Sequence, residues 1–140
     1  MKCSEIMTKD PVCCLPTDTV DKAAQLMKTE NVGPIPVVAD HQVKRLVGIV
    51  TDRDLALKVV AEALDAKSTT VEEVMTTGVV ACRVGDDLEK ALGAMEERQV
   101  RRIPVVDDND QIVGIIAQAD IATRVKRPEK TAEVVEEISK

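Results

Sequence analysis

The sequence predicts an α+β fold, two β-α-β-β-α repeats packed sheet to sheet as a pseudo-twofold pair. Three observations lead there. First, the chain repeats itself: Glu5-Ile6-Met7-Thr8 returns 68 residues later as Glu73-Val74-Met75-Thr76. Asp18, Ala23 and Met27 return at that spacing as Asp86, Ala91 and Met95, and Ile35-Pro36-Val37-Val38 returns as Ile103-Pro104-Val105-Val106. Second, each copy passes from helical to strand periodicity and back to helical. Third, 140 residues make two units of about sixty, each too small to bury a comfortable core alone, so the two sheets are expected to cover one another.

In chain order, a short amphipathic turn (4–7; 71–75) leads into a brief apolar run (12–15; 79–84). A helix follows, with Asp18 or Asp86 as the expected N-cap and Asp21 or Glu89 three residues on, in capping-box spacing. Val20, Ala23, Ala24 and Met27 mark its apolar face, as do Leu88, Ala91, Leu92 and Met95, and the methionines read as core filling. Two β-branched runs come next, 35–38 with 46–50 and 103–106 with 112–116, separated by turn-forming residues in the pattern of a hairpin. Pro36 and Pro104 lack an N–H, so each is expected at a strand start or edge. Final helices are predicted over 52–64 and 118–125. Ala66 to Thr70 links the copies, giving repeats at 1–66 and 67–126 and a charge-rich tail over 127–140, where Val134, Val135 and Ile138 keep helical spacing.

Composition narrows the functional classes. The formal net charge is −6 and no Phe, Tyr or Trp is present, which argues against nucleic-acid binding and removes any aromatic platform or cage. There is no apolar leader and no run of membrane-span length, so a cytoplasmic protein is expected, with Cys3, Cys13, Cys14 and Cys82 as reduced thiols. Cys13 and Cys14 point to opposite faces of a strand, and no C-x-x-C spacing supports zinc held by Cys3, one of that pair and His41, so no metal is assigned. His41, the single histidine, falls in a turn. No Ser/His/Asp or Cys/His arrangement, phosphate-cradling glycine loop or carboxylate metal motif is evident, which reads as no enzyme.

The chemistry gathers at Gly48-Ile49-Val50-Thr51-Asp52-Arg53-Asp54, where a strand meets a helix. A hydroxyl and a carboxylate three residues apart suit a sugar diol, and free N–H groups at a helix start favour an anion. The same residues also suit a plain helix cap. The junction recurs as Gly114-Ile115-Ile116-Ala117-Gln118-Ala119-Asp120, with Ala117 in the hydroxyl position. The spacing here is 66, because 41–45 is two residues longer than its counterpart.

With h-P-V-V followed by G-h-h-T-x-x-D in each copy, residues 3 to 126 resemble a tandem pair of cystathionine-β-synthase (CBS) domains, the Bateman module, of the free-standing hypoxic-response type. The resemblance implies a regulatory module that binds an adenosine nucleotide in clefts between the paired domains, without a cofactor and without catalysis. Carried over by position, Thr51 and Asp54 would hold the ribose, Ile49 would pack on the base, and Val79, Val80 and Val100 would complete the base pocket. Arg101 and Arg102, with Arg53, would take the phosphates through bidentate guanidinium forks. A second, weaker cleft would use Asp120 and Ile115 with Val12, Val32, Gly33 and Pro34. Lacking the Thr hydroxyl, it forgoes one hydrogen bond, a net loss of roughly 0.5–1.5 kcal/mol. The expected partners are the adenosyl ligand, a second copy of the chain in a flat homodimer and a protein target, with neither nucleic acid nor membrane. Two other readings stand beside this one: a structural CBS pair with empty clefts, and a thiol- or metal-based stress sensor.

Overall fold

The computed structural model describes residues 1–124. In chain order its elements are α1 (Cys3–Ile6), β1 (Thr8–Lys9), α2 (Val20–Glu30), β2 (Pro34–Val38), β3 (Leu46–Thr51), α3 (Asp52–Leu55), a π-helical turn (Ala56–Val60), α4 (Val71–Val74), β4 (Cys82–Arg83), α5 (Leu88–Arg98), β5 (Arg102–Val106), β6 (Ile112–Ala117) and α6 (Gln118–Arg124). The tail at 127–140, with the helical spacing of its apolar residues, lies outside the described residues.

The described residues pack as two compact units, Pro11–Val79 and Met1–Asp10 together with Val80–Arg124. The first ten residues therefore pack with the second sequence repeat. In that unit the sheet order is β1-β6-β5-β4: Thr8 and Lys9 pair antiparallel with Ile115 and Gly114, and Cys82–Arg83 pairs parallel with Val105–Val106. In the Pro11–Val79 unit, β2 and β3 form the hairpin, and two isolated bridges extend it, Cys14 beside Val37 and Thr76 beside Ile49. The Met-Thr segment ahead of one repeat thus forms a sheet edge with the strand of the other repeat.

Each unit has its own core. All five residues of β2 are buried, and Ile35 and Val37 pack with Val20, Ala23, Met27, Val50, Val59, Val71 and Val74. In the other unit Ile6, Leu92, Met95, Ile103, Val105, Ile116 and Ile121 do the equivalent work. The predicted apolar face of α2 holds at Val20, Ala23 and Met27, but Ala24 is exposed and Leu26 takes part instead. One step of 100° per residue carries Ala24 off a stripe centred on the i, i+3, i+7 positions.

The N-caps also differ from expectation. Thr19, not Asp18, caps α2, its hydroxyl accepting from the Lys22 N–H at 3.2 Å. Asp18 turns back to accept from the Leu15 N–H at 2.8 Å and pairs with Lys22 at 3.3 Å. Asp86 repeats this, accepting from the Arg83 N–H at 2.8 Å, while Asp87 occupies the cap position without a side-chain cap bond. Asx side chains serve turns and caps equally well, and here the turn entering the helix took them.

Pro36 lies mid-strand on β2, an edge of the two-stranded sheet as expected, whereas Pro104 lies in β5, which has β6 on one side and β4 on the other. At Pro36 no ladder bond is lost. On its second side β2 meets Cys14 alone, with Cys14 N–H donating to the Pro36 carbonyl and Val38 N–H to Cys14, so the imide nitrogen faces a position beyond that bridge. The helix expected over 52–64 is α3 followed by the π turn, and ends at Val60.

Candidate functional site

The strand-to-helix junction in the Pro11–Val79 unit is built around Asp54, a carboxylate only 9% exposed. Thr51 and Asp54 form a reciprocal capping box: the Thr51 hydroxyl accepts from the Asp54 N–H at 3.1 Å, and Asp54 Oδ2 accepts from the Thr51 N–H at 3.0 Å. The cap and the sugar-binding readings therefore use the same two side chains. The box leaves the Thr51 hydroxyl proton and the second carboxylate oxygen for other partners. On that oxygen, Oδ1, converge Lys58 Nζ at 3.0 Å and the Thr76 hydroxyl at 3.5 Å. Lys58 also donates to the Val74 carbonyl at 2.9 Å, so one ammonium ties α4 to the acidic centre.

Two of these groups, Thr76 and Lys58, were not singled out from the sequence. Lys58 lies four residues after Asp54, a spacing that signals a helical ion pair. Thr76 carries no comparable signal, since its approach depends on the bridge in which Ile49 N–H donates to the Thr76 carbonyl at 3.0 Å and Thr76 N–H donates back at 2.8 Å. Gly48 makes that bridge possible. A Cβ there would stand 2.8 Å from Met75 Sδ and 3.0 Å from the Thr76 carbonyl oxygen.

The second junction has the same plan without the hydroxyl. Asp120 Oδ2 accepts from the Ala117 N–H at 3.0 Å and from the Thr8 hydroxyl at 3.5 Å, and Met7 lies against Gly114 where a Cβ would collide with its sulfur. Ile115 is buried in β6. Thr8 thus stands to Asp120 as Thr76 stands to Asp54.

The remaining predicted residues divide between the units. Ile49, Arg53 and Val79 share a unit with Thr51 and Asp54, as do Val12, Val32, Gly33 and Pro34. Ile49 is half-buried, Arg53 is exposed, and Gly33 accepts from the Asp52 N–H at 3.0 Å at the mouth of the hairpin. Val80, Val100, Arg101 and Arg102 belong with Asp120. Arg102 pairs in register with Ala117 and the Arg101 carbonyl accepts from the Gln118 N–H, which puts both exposed guanidinium-bearing residues at the end of the hairpin where the Asp120 junction begins. Among the described residues, Arg53, Arg101 and Arg102 form no ion pair, so their charge is available to an anion. Cys3 lies in one unit, and Cys13, Cys14 and His41 in the other. Among the described residues no group of three or more His, Cys, Asp or Glu is arranged to hold a metal ion.

The doubled junction has a counterpart among known proteins. Residues 3–61 and 71–127 match the CBS domain family model. The chain belongs to the CBS domain family. It is 39% identical to the CBS domain-containing protein YhcV of Bacillus subtilis over 96% of this chain and 93% of that protein. It is 35% identical to hypoxic response protein 1 of Mycobacterium tuberculosis, over 84% of this chain and 80% of that one. A crystal structure of hypoxic response protein I with two coordinated zinc ions superposes with a TM-score of 0.80 at 33% identity, covering 89% of this chain and 99% of that one. The CBS domain pair of protein MJ0100, solved in complex with 5′-methylthioadenosine and S-adenosyl-L-methionine, superposes with a TM-score of 0.77 at 28% identity, covering 88% of this chain and 94% of that one. These neighbours bear out the expected α+β CBS pair. An inosine-5′-monophosphate dehydrogenase of Methanocaldococcus jannaschii is 37% identical over 91% of this chain, a stretch that makes up 24% of that enzyme.

Proposed function

We propose that this CBS pair is a non-catalytic regulatory module that senses an adenosine nucleotide, an AMP-, ADP- or ATP-like ligand. The observation that carries the reading is the convergence on Asp54. A nearly buried carboxylate is held by its own capping box with Thr51 and faces the Thr76 hydroxyl and a cation, a donor and acceptor set suited to a ribose diol. The adenosyl ligands of the MJ0100 pair support the same class. In this reading Thr51 and Asp54 take the ribose, Ile49, Val79, Val80 and Val100 the base, and Arg53, Arg101 and Arg102 the phosphates. Asp120, Ile115, Val12, Val32, Gly33 and Pro34 form the weaker second site. Nothing here requires a cofactor, and the groups assigned bind a ligand without transforming it.

The ligand acts by population shift, favouring the arrangement of the pair that it contacts best and stabilising it by RT ln(1 + [L]/Kd), about 2.7 kcal/mol at a hundredfold excess over Kd. Leu57 and Val60, 49% and 77% exposed on the π-helical turn, and Leu64, 47% exposed just after it, form an apolar patch suited to a second copy of the chain in a homodimer, and analytical ultracentrifugation that finds only monomer at micromolar concentration refutes that pairing. Among the described residues no helix is long and apolar enough to cross a membrane. In this reading the protein is cytoplasmic, with its cysteines reduced, and acts on a protein target.

A melting screen against AMP, ADP, ATP, S-adenosylmethionine and NAD tests the reading. At least one compound should raise the midpoint, and the absence of any shift overturns the proposal. Asp54→Ala should abolish most of that shift and Asp120→Ala less of it. Asp54→Asn, which keeps an oxygen for the Thr51 N–H, separates lost binding from a lost cap.

A further inference from the structure

Cys3 and Cys82 come from opposite ends of the sequence into one core, 0% and 3% exposed. Cys3 opens α1 and Cys82 opens β4. The backbone holds their segments together: Cys3 N–H donates to the Asp86 carbonyl at 2.9 Å, Ser4 N–H to the Val84 carbonyl at 3.3 Å, and Lys2 bridges antiparallel to Asp87. The two thiols are neighbours within that core, and the Cys3 sulfur lies 3.9 Å from the Asp87 carbonyl oxygen. No part of the nucleotide site uses them.

We propose that Cys3 and Cys82 are a reversible thiol modification site, closing to an intramolecular disulfide when a small-molecule disulfide such as oxidised glutathione is present. The Cys3 thiolate attacks one sulfur of the small disulfide, forms a mixed disulfide and releases one small thiolate. Cys82 then gives up its proton and attacks the Cys3 sulfur, expelling the second small thiolate. Two protein thiols are oxidised to one disulfide, one small disulfide is reduced to two thiols, and the two protons go to the leaving thiolates.

The neighbouring groups select this pair and this order. The neighbouring Cys82 side chain holds the Cys3 thiol below its ordinary value, while the Cys3 side chain and burial push Cys82 up. Cys3 is the first nucleophile and Cys82 the resolving thiol. Cys13 and Cys14 are both pushed up by burial, Cys14 to about 11, which disfavours them as competitors. Access comes through α1, a single four-residue turn whose local opening uncovers Cys3 without unfolding the core. The bond would fasten the 1–10 segment covalently to its sheet. That segment carries Thr8, the hydroxyl facing Asp120, so oxidation would also fix the position of one ligand-facing group.

The test is to incubate the full chain with oxidised glutathione, count thiols in denaturant and map the peptides by mass. The expected result is a fall from four titratable thiols to two, one Cys3–Cys82 linked peptide about 2 Da lighter than the sum of its reduced parts, reversal by dithiothreitol, and a melting midpoint several degrees higher for the oxidised chain. Cys3→Ser should retain all three of its remaining thiols. Four thiols after treatment, stable glutathione adducts without a protein disulfide, a bond mapping to Cys13 or Cys14, or a link between two chains each overturns the proposal.

Discussion

Replacing Gly48 by Ala adds one methyl group to the fold at the point where strand packing and the Asp54 centre meet. The new Cβ would stand 2.8 Å from Met75 Sδ, 3.3 Å from Met75 Cγ and 3.0 Å from the Thr76 carbonyl oxygen, all inside the separation at which carbon atoms pack favourably. Met75 can swing aside. The carbonyl cannot, because hydrogen bonds at 3.0 and 2.8 Å fix it against Ile49. Relief therefore means opening that bridge, and the expected cost is about 2 kcal/mol, within the range for an overpacked core. For a protein of this size that is a fall in Tm of roughly 5–8 °C. Gly93→Ala is the control: Gly93 lies exposed inside α5 with no atom within 4 Å of its would-be Cβ, and Ala there should stabilise by about 0.5–1 kcal/mol through helix propensity. Thermal and urea unfolding of both variants, with the adenosyl-induced shift recorded beside them, provides the comparison. Gly48→Ala should also weaken the ligand shift, since Thr76 moves away from Asp54. A second change, Met75→Ala, should recover only part of the loss. If Gly48→Ala unfolds with wild-type stability, or if Met75→Ala restores it fully, the argument from the fixed carbonyl is wrong.

Lys58→Met keeps the aliphatic stem and removes the ammonium from Asp54 and from the Val74 carbonyl. Because Lys58 is nearly half exposed, the expected destabilisation is only about 1 kcal/mol, read as a lower urea midpoint at unchanged m-value. An unchanged midpoint would show that the pair contributes nothing. Cys14 makes stability pH-dependent on the alkaline side. Its folded thiol is raised to about 11 from an ordinary 9.0, so below pH 9 it has no effect. Between pH 9 and 11 the unfolded chain loses a proton that the folded chain keeps, and stability falls by up to about 1.4 kcal/mol per pH unit. Cys14→Val should flatten that slope in urea titrations at pH 8 to 11, and an identical slope refutes the assignment.

Most of the candidate site was legible from the repeat. One T-x-x-D is ambiguous between a cap and a sugar ligand, and the structure shows why, since the capping box and the carboxylate cluster share Thr51 and Asp54. A second copy in register, with Ala117 replacing the hydroxyl, turned the ambiguity into a ranking of two sites. Lys58 was available from its i, i+4 spacing. Thr8 and Thr76 stood in plain view within the repeat but carried no chemical signal, because each acquires its role through a strand bridge with residues far away in sequence.

The amino-acid sequence by itself determined the doubled α+β plan, the hairpins and their buried faces, because apolar periodicity and β-branched runs act over a few residues and are repeated. Tertiary structure decided the rest. A two-residue strand such as Thr8–Lys9 has no pattern long enough to specify its neighbour, so only packing assigns it to the β6 edge and places the first ten residues with the second repeat. The same placement brings Cys3 to Cys82 and Thr8 to Asp120. Local choices between a cap and a turn, as at Asp18 and Thr19, were settled by which N–H the folded chain left unpaired.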